Sequence, residues 1–161
     1  MHPTARGDQW DPPLSEEGLQ QAELLARRLS LLDPQPAAVY ASPLRRASET
    51  ALAFSDAAGL EVTLDEDLME AHIGDWEAKP FEEILASDDE LLHRVREQRE
   101  IWSRAPSGER ERDFRARVVG ALERALEEHP DGDVLVFCHG GVINAYMGEV
   151  LGLPQGMFFL P

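Results

Sequence analysis

Three short stretches of this sequence carry residue types able to handle an anion or a proton. The first is "VLVFCHGG" (134–141), where an apolar run ends at His139 and a pair of glycines. An imidazole placed where a strand stops can face a ligand. Gly140 and Gly141 allow close backbone approach and expose amide N–H groups at the start of the next helix, a natural place for an anion. A histidine inside a sheet can equally be a satisfied core residue, and the strand-end position is what argues against that here. Cys138 stands beside it, yet successive strand residues point to opposite faces, so no Cys-His dyad is expected and Cys138 is assigned to the core.

The second stretch is "YASPLRRASETA" (40–51). Arg45 and Arg46 are adjacent at a helix start, where cations oppose the macrodipole unless an anion sits there to be bound. Two solvated arginines are the plainer alternative. A second strand-end anion site in the same sheet favours phosphate binding. The third stretch, "EDLMEAHIGDWEAKP" (66–80), places Glu70 among Leu68, Met69, Ile73 and Trp76. These apolar neighbours could desolvate the carboxyl and favour the protonated form that a proton donor needs. His72 reads as a loop residue.

The elements that must position these groups are legible in outline. "SEEGLQQAELLARRLSLL" is helical, with Ser15 as N-cap and Leu19, Ala22, Ala26 and Leu29 on one face. "AAVYAS" (37–42) is a short strand, and Ser42-Pro43 reads as N-cap and first position of a helix closed by Gly59. "LEVTLDEDL" (60–68) alternates as a strand. Residues 81 to about 102 read as one charged helix with Ile84, Leu85, Leu91, Leu92, Val95 and Ile101 as its apolar positions. "RDFRARVVGALERALEEH" is a further helix whose buried stripe is Phe114, Val118, Ala121, Leu122 and Ala125. "VLVFC" is continuously apolar, which predicts a parallel strand covered on both faces. Strands alternating with helices predict an α/β layered domain with ligands at the carboxyl ends of the strands, and both "YASPLRR" and "FCHGG" are such ends. Three clear strands make a thin sheet.

Composition narrows the partners. The 161 residues carry a net charge of -16, with 31 acidic against 15 basic side chains. A broad basic face for nucleic acid or anionic lipid is therefore not expected, and any basic site must be local. The length fits a single domain, 1–161. One cysteine makes no internal disulfide, and with no secretory leader and no long apolar run the expected location is the cytoplasm. There is no Walker loop, no G-x-S-x-G elbow, no dinucleotide glycine fingerprint and no zinc-site spacing.

Taken together, "DPPLSEEGLQQAELLARRL", "YASPLRRASETA", "LMEAHIGDWEA", "PSGERERDFRARV" and "VLVFCHGGVINAYMGEVLGLP" resemble the histidine phosphatase superfamily, the group that includes phosphoglycerate mutases and many small phosphomonoesterases. The resemblance implies a three-layer α/β/α fold with a mostly parallel central sheet, truncated at both ends relative to the family. It implies phosphoryl transfer through a phosphohistidine with no metal and no cofactor. Arg46 matches the phosphate-clamping arginine and Arg45 a variable position. His139 matches the second histidine, which contacts the transferring oxygens with Gly140 beside it, and Glu70 matches the proton donor to the leaving alcohol. Such a transfer spreads charge over the equatorial oxygens, so aligned donors and cations supply most of the rate.

The family's nucleophile stands in an Arg-His-Gly or Arg-His-Ala triplet after an N-terminal strand, and neither triplet occurs in this sequence. "MHPTARGD" resembles the stretch just after that triplet, which puts His2 two places beyond the nucleophile. Arg110 departs from a common serine. The expected function is a phosphatase of small phosphorylated metabolites, impaired or inactive as written. The alternatives are mutase-type transfer, disfavoured by the short segment between Trp76 and Pro106, and a non-catalytic phosphate-binding module, disfavoured by the presence of a proton donor. An apolar "MFFLP" end and a missing strand leave surface that a second copy could cover, which allows a homodimer.

Overall fold

The computed structural model describes residues 9–153, apart from 78, 87–88, 98–100 and 102–103. His2, Trp102 and "MFFLP" lie outside the described residues. The chain runs α1 (Glu16–Leu29), β1 (Ala38–Ala41), α2 (Arg45–Ala58), β2 (Val62–Leu64), 3₁₀ turns at Glu66–Leu68 and Gly74–Trp76, α3 (Phe81–Ala86), α4 (Asp89–Arg96), α5 (Glu111–Glu128), β3 (Val134–Phe137) and α6 (Gly140–Val150). The three strands form a parallel sheet in the order β2-β1-β3. Ala38 registers with Val134 and Ala41 with Phe137, so β1 and β3 end side by side. That alignment brings the two strand-end motifs together.

Alternation along the strands fills two layers. Val39 and Ala41 turn toward α1 and α2 and pack with Ala26, Ala51, Phe54 and Phe137. Tyr40 turns the other way and joins Phe114, Val118, Ala121, Ala125 and Val142 beneath α5 and α6. The α/β layering predicted by the alternating pattern, with the three layers that the resemblance implies, is thus the fold observed. Ser15 caps α1 by accepting the Gly18 amide at 3.1 Å, and Gly59 ends α2 at φ 69°, where a Cβ would be strained.

Several expectations need correction. Ser42 is not the N-cap of α2. The helix starts two residues later, at Arg45, and its N-cap residue Leu44 offers no side-chain bond. The capping acceptor comes from a distance: an Asp11 carboxylate oxygen takes the Arg45 amide at 2.6 Å. A cap of this kind contributes about 1 kcal/mol. The charged segment from Phe81 is helical over Phe81–Ala86 and Asp89–Arg96, and residues 87–88 between them lie outside the described residues. The strand expected over 60–68 is confined to Val62–Leu64, followed by a 3₁₀ turn. Leu19 is exposed rather than on the buried face of α1.

β3 is parallel and packs on both faces as expected, Val134 and Val136 against the α5 and α6 core and Leu135 and Phe137 against that of α1 and α2, yet it is not fully enclosed. Val134, Leu135 and Val136 are only half-buried. Among the described residues β3 pairs on one side alone, with β1, and a cavity of about 800 Å³ opens against it.

Candidate active site

The cavity beside β3 is lined along the strand by Val134 and Val136. Past the strand's carboxyl end it is lined by Arg46, Glu70, His139 and Gly140. All four residues singled out in the sequence therefore meet in one place. It is the place where α/β sheets put their ligands, at the tips of adjacent parallel strands.

The two neighbouring arginines have different fates. Arg45 turns back along its own helix and is bound by Glu49 through Nε at 2.9 Å and Nη2 at 2.8 Å. Arg46 is half-buried, and among the described residues its guanidinium makes no hydrogen bond or ion pair. A desolvated cation without a counter-ion is costly, and an anion in the cavity would remove that cost.

His139 stands two residues past the end of β3 and is 7% exposed. Its Nε2 lies 2.8 Å from Ser42 Oγ, a fully buried hydroxyl at the end of β1 that also accepts the Leu44 amide at 3.3 Å. Burial pushes the imidazole down to about 3, and the positive charges of Arg46 and Arg117 act in the same direction. The ring is therefore neutral at pH 7. Cys138, its neighbour, packs against the α5 and α6 core. Burial pushes its thiol up to about 11, so it is protonated and not a nucleophile.

Glu70 reaches the start of α6. One carboxylate oxygen accepts the Gly141 amide at 2.9 Å and the other its neighbour Ala71's amide at 2.9 Å. Gly141 is required by this approach, because a Cβ there would run into the Glu70 carboxylate. The surroundings differ from those expected. Leu68 and Met69 turn into the core, and the groups on the carboxylate are these two backbone amides. His72 is a loop residue, as expected, and its Nδ1 accepts the Gly74 amide at 3.2 Å.

Two supports escaped the sequence reading. Ser42 looked like a cap and is instead the partner of His139. Arg117 lay unremarked on α5, although Phe114, Arg117, Val118 and Ala121 share one helical face. An arginine on a buried stripe signals a partner to be found. Arg110 sits at the N-cap position of α5 with no side-chain capping bond. Among the described residues no three His, Cys, Asp or Glu side chains converge as metal ligands would, and no helix is long and apolar enough to cross a membrane.

Comparison with known proteins identifies the family. The model of the histidine phosphatase superfamily (branch 1) matches residues 3–160. Phosphoserine phosphatase 1 of Hydrogenobacter thermophilus is 34% identical over 152 residues, spanning 92% of this chain and 69% of that protein. A Yersinia pestis protein named "Probable phosphoglycerate mutase GpmB" is 30% identical over 146 residues, 91% of this chain and 66% of its own length. The solved structure of a mycobacterial glucosyl-3-phosphoglycerate phosphatase with VO3 superimposes with a TM-score of 0.78 at 32% identity, covering 90% of this chain and 71% of that one. With its site motifs, its layered parallel fold and a family match over nearly its whole length, the chain belongs to the histidine phosphatase superfamily, branch 1.

Proposed function

We propose that residues 1–161 are a single, incomplete histidine-phosphatase-like domain that grips the phosphoryl group of small phosphomonoesters. In this reading the nucleophilic histidine is carried by a strand outside these residues, and the chain as written is impaired or inactive in turnover. One observation carries the reading: the half-buried Arg46 guanidinium, unpaired among the described residues, faces a cavity shared with a neutral His139, the α6 amides and Glu70. Cation, donor and carboxyl on one cavity suit a dianion with an ester oxygen to be protonated. The half-buried β3, with no second strand beside it among the described residues, offers the place for the missing strand, whose end would then point at Arg46 and His139.

Phosphoryl transfer in this reading takes two steps. The histidine nitrogen forms a bond to phosphorus as the phosphorus–oxygen bond to the alcohol breaks, and Glu70 delivers its proton to the departing oxygen. Water then attacks phosphorus, its proton returns to Glu70, and the phosphorus–nitrogen bond breaks to release phosphate. Arg46 and His139 hold the equatorial oxygens throughout. The short segment between Trp76 and Pro106 favours hydrolysis over mutase-type transfer.

A second reading, a non-catalytic binder of phosphate ligands, is favoured by the lack of either nucleophile triplet in the sequence. The test compares this chain with one extended by a strand ending in Arg-His-Gly, assayed on p-nitrophenyl phosphate with trapping of acid-labile phosphoenzyme. Turnover and a trapped intermediate in the extended chain alone are expected. An extended chain that binds vanadate yet neither turns over nor becomes phosphorylated would establish the binder instead.

A further inference from the structure

Arg117 projects from α5 behind the loop that presents Glu70 and does not line the cavity. Its guanidinium has five N–H donors, and all five are engaged. Nε and Nη2 bond the two carboxylate oxygens of Glu109, each at 2.8 Å. Nη1 bonds the carbonyls of Asp67 and Met69, each at 2.7 Å, and Nη2 also reaches the Glu70 carbonyl at 3.2 Å. The Phe114 ring lies 4.7 Å beneath it. Both ionic partners are largely buried, with side-chain exposures of 9% and 11%. Glu109 grips the far side of the same loop, its amide donating to the His72 carbonyl at 2.7 Å. Gln9 adds a bond to the Glu70 carbonyl at 3.0 Å.

We propose that Arg117 is the positioning residue for Glu70: anchored by Glu109, it holds three carbonyls of the 67–70 loop and so fixes where the Glu70 carboxyl stands. What that carboxyl does rests on the phosphatase reading above; where it is held does not. A saturated arginine cannot bind substrate, so its contribution is geometric. Lysine cannot replace it, having three donors on a point charge instead of five in a planar fork.

The Gly141 and Ala71 amides, each bonded to a Glu70 carboxylate oxygen, report its place by amide-proton NMR on this 161-residue chain. Arg117→Lys should shift both resonances about as far as Glu70→Ala does, and should raise their exchange rates roughly ten-fold. The exposed Arg112→Lys should move neither. If Arg117→Lys fails to fold, Glu109→Gln removes the anchoring charge at constant shape and should give a smaller shift of the same sign. Unmoved Gly141 and Ala71 amides in whichever variant folds would overturn the proposal.

A second readout separates placement of the proton donor from general damage. In the chain extended with the nucleophile strand, Arg117→Lys should slow hydrolysis of glycerol phosphate, whose alkoxide needs the proton, about ten-fold more than that of p-nitrophenyl phosphate. Equal loss on both esters counts against the positioning role. If the unsubstituted extended chain cleaves neither ester, the phosphatase reading falls, and the amide resonances still decide whether Arg117 places Glu70.

Discussion

Arg46→Ala should lower the affinity of this chain for inorganic phosphate or vanadate on the order of a hundred-fold, while Arg45→Ala leaves it almost unchanged. The two side chains are adjacent in sequence and equal in charge. One is spent on Glu49 within its own helix; the other faces the cavity with no partner among the described residues. Removing one member of a desolvated, hydrogen-bonded charge pair costs about 3 kcal/mol, and each 1.4 kcal/mol is about ten-fold in affinity. Arg46→Lys should recover part of the loss, since it keeps the charge and gives up the bidentate fork. Titration calorimetry on the three variants is sufficient. Similar losses at Arg45 and Arg46 would mean that the anion does not sit where this geometry places it. In the chain extended with the nucleophile strand, the same Arg46→Ala change should cut turnover by orders of magnitude.

Acid should destabilise the fold through His139. In the unfolded chain this imidazole titrates near 6.5, and in the folded protein burial holds it down to about 3. Between those values the unfolded chain binds a proton that the folded one does not, so stability is fully present above pH 6.5 and is lost as pH falls toward 3. At about 1.4 kcal/mol per unit of separation the loss amounts to a few kcal/mol, up to about 5. Denaturant midpoints across pH 3 to 8 measure it. His139→Gln should flatten the difference curve over that window, and Arg46→Ala should narrow the window by letting the histidine titrate higher. Superimposable curves for the native chain and His139→Gln would show that the ring is not held neutral. A bound phosphate anion offsets the positive charges of Arg46 and Arg117 that add to the depression, so phosphate should also protect the fold within the acid window.

The layered fold was legible because alternation and amphipathic stripes are local properties of the chain. α1, α2 and all three strands fall within the expected segments, α5 begins one residue before its own, and Ser15 and Gly59 end their helices as their types predict. Arg46, Glu70 and His139 were found because strand ends and helix starts are where ligand chemistry concentrates. What escaped depends on distance. Asp11 caps α2 across 34 positions, and Ser42 meets His139 across 97 because β1 pairs with β3. The half-burial of β3 escaped for the same kind of reason, because an apolar run gives no sign of how many neighbours it will find. Glu70's surroundings were misjudged because its sequence neighbours turn inward, leaving two amides around its carboxylate.

The cavity-facing cation of Arg46 belongs to a molecule with a formal charge of -16. A dianion arriving from bulk water first meets a repulsive exterior and feels the attractive guanidinium only over the last stretch of its approach. Dissolved ions screen the long-range repulsion most, with a Debye length of about 10 Å at 0.1 M, and the short contact inside the cavity least. Encounter should therefore quicken as salt is first added, the reverse of the behaviour of a cation-rich surface that steers anions inward.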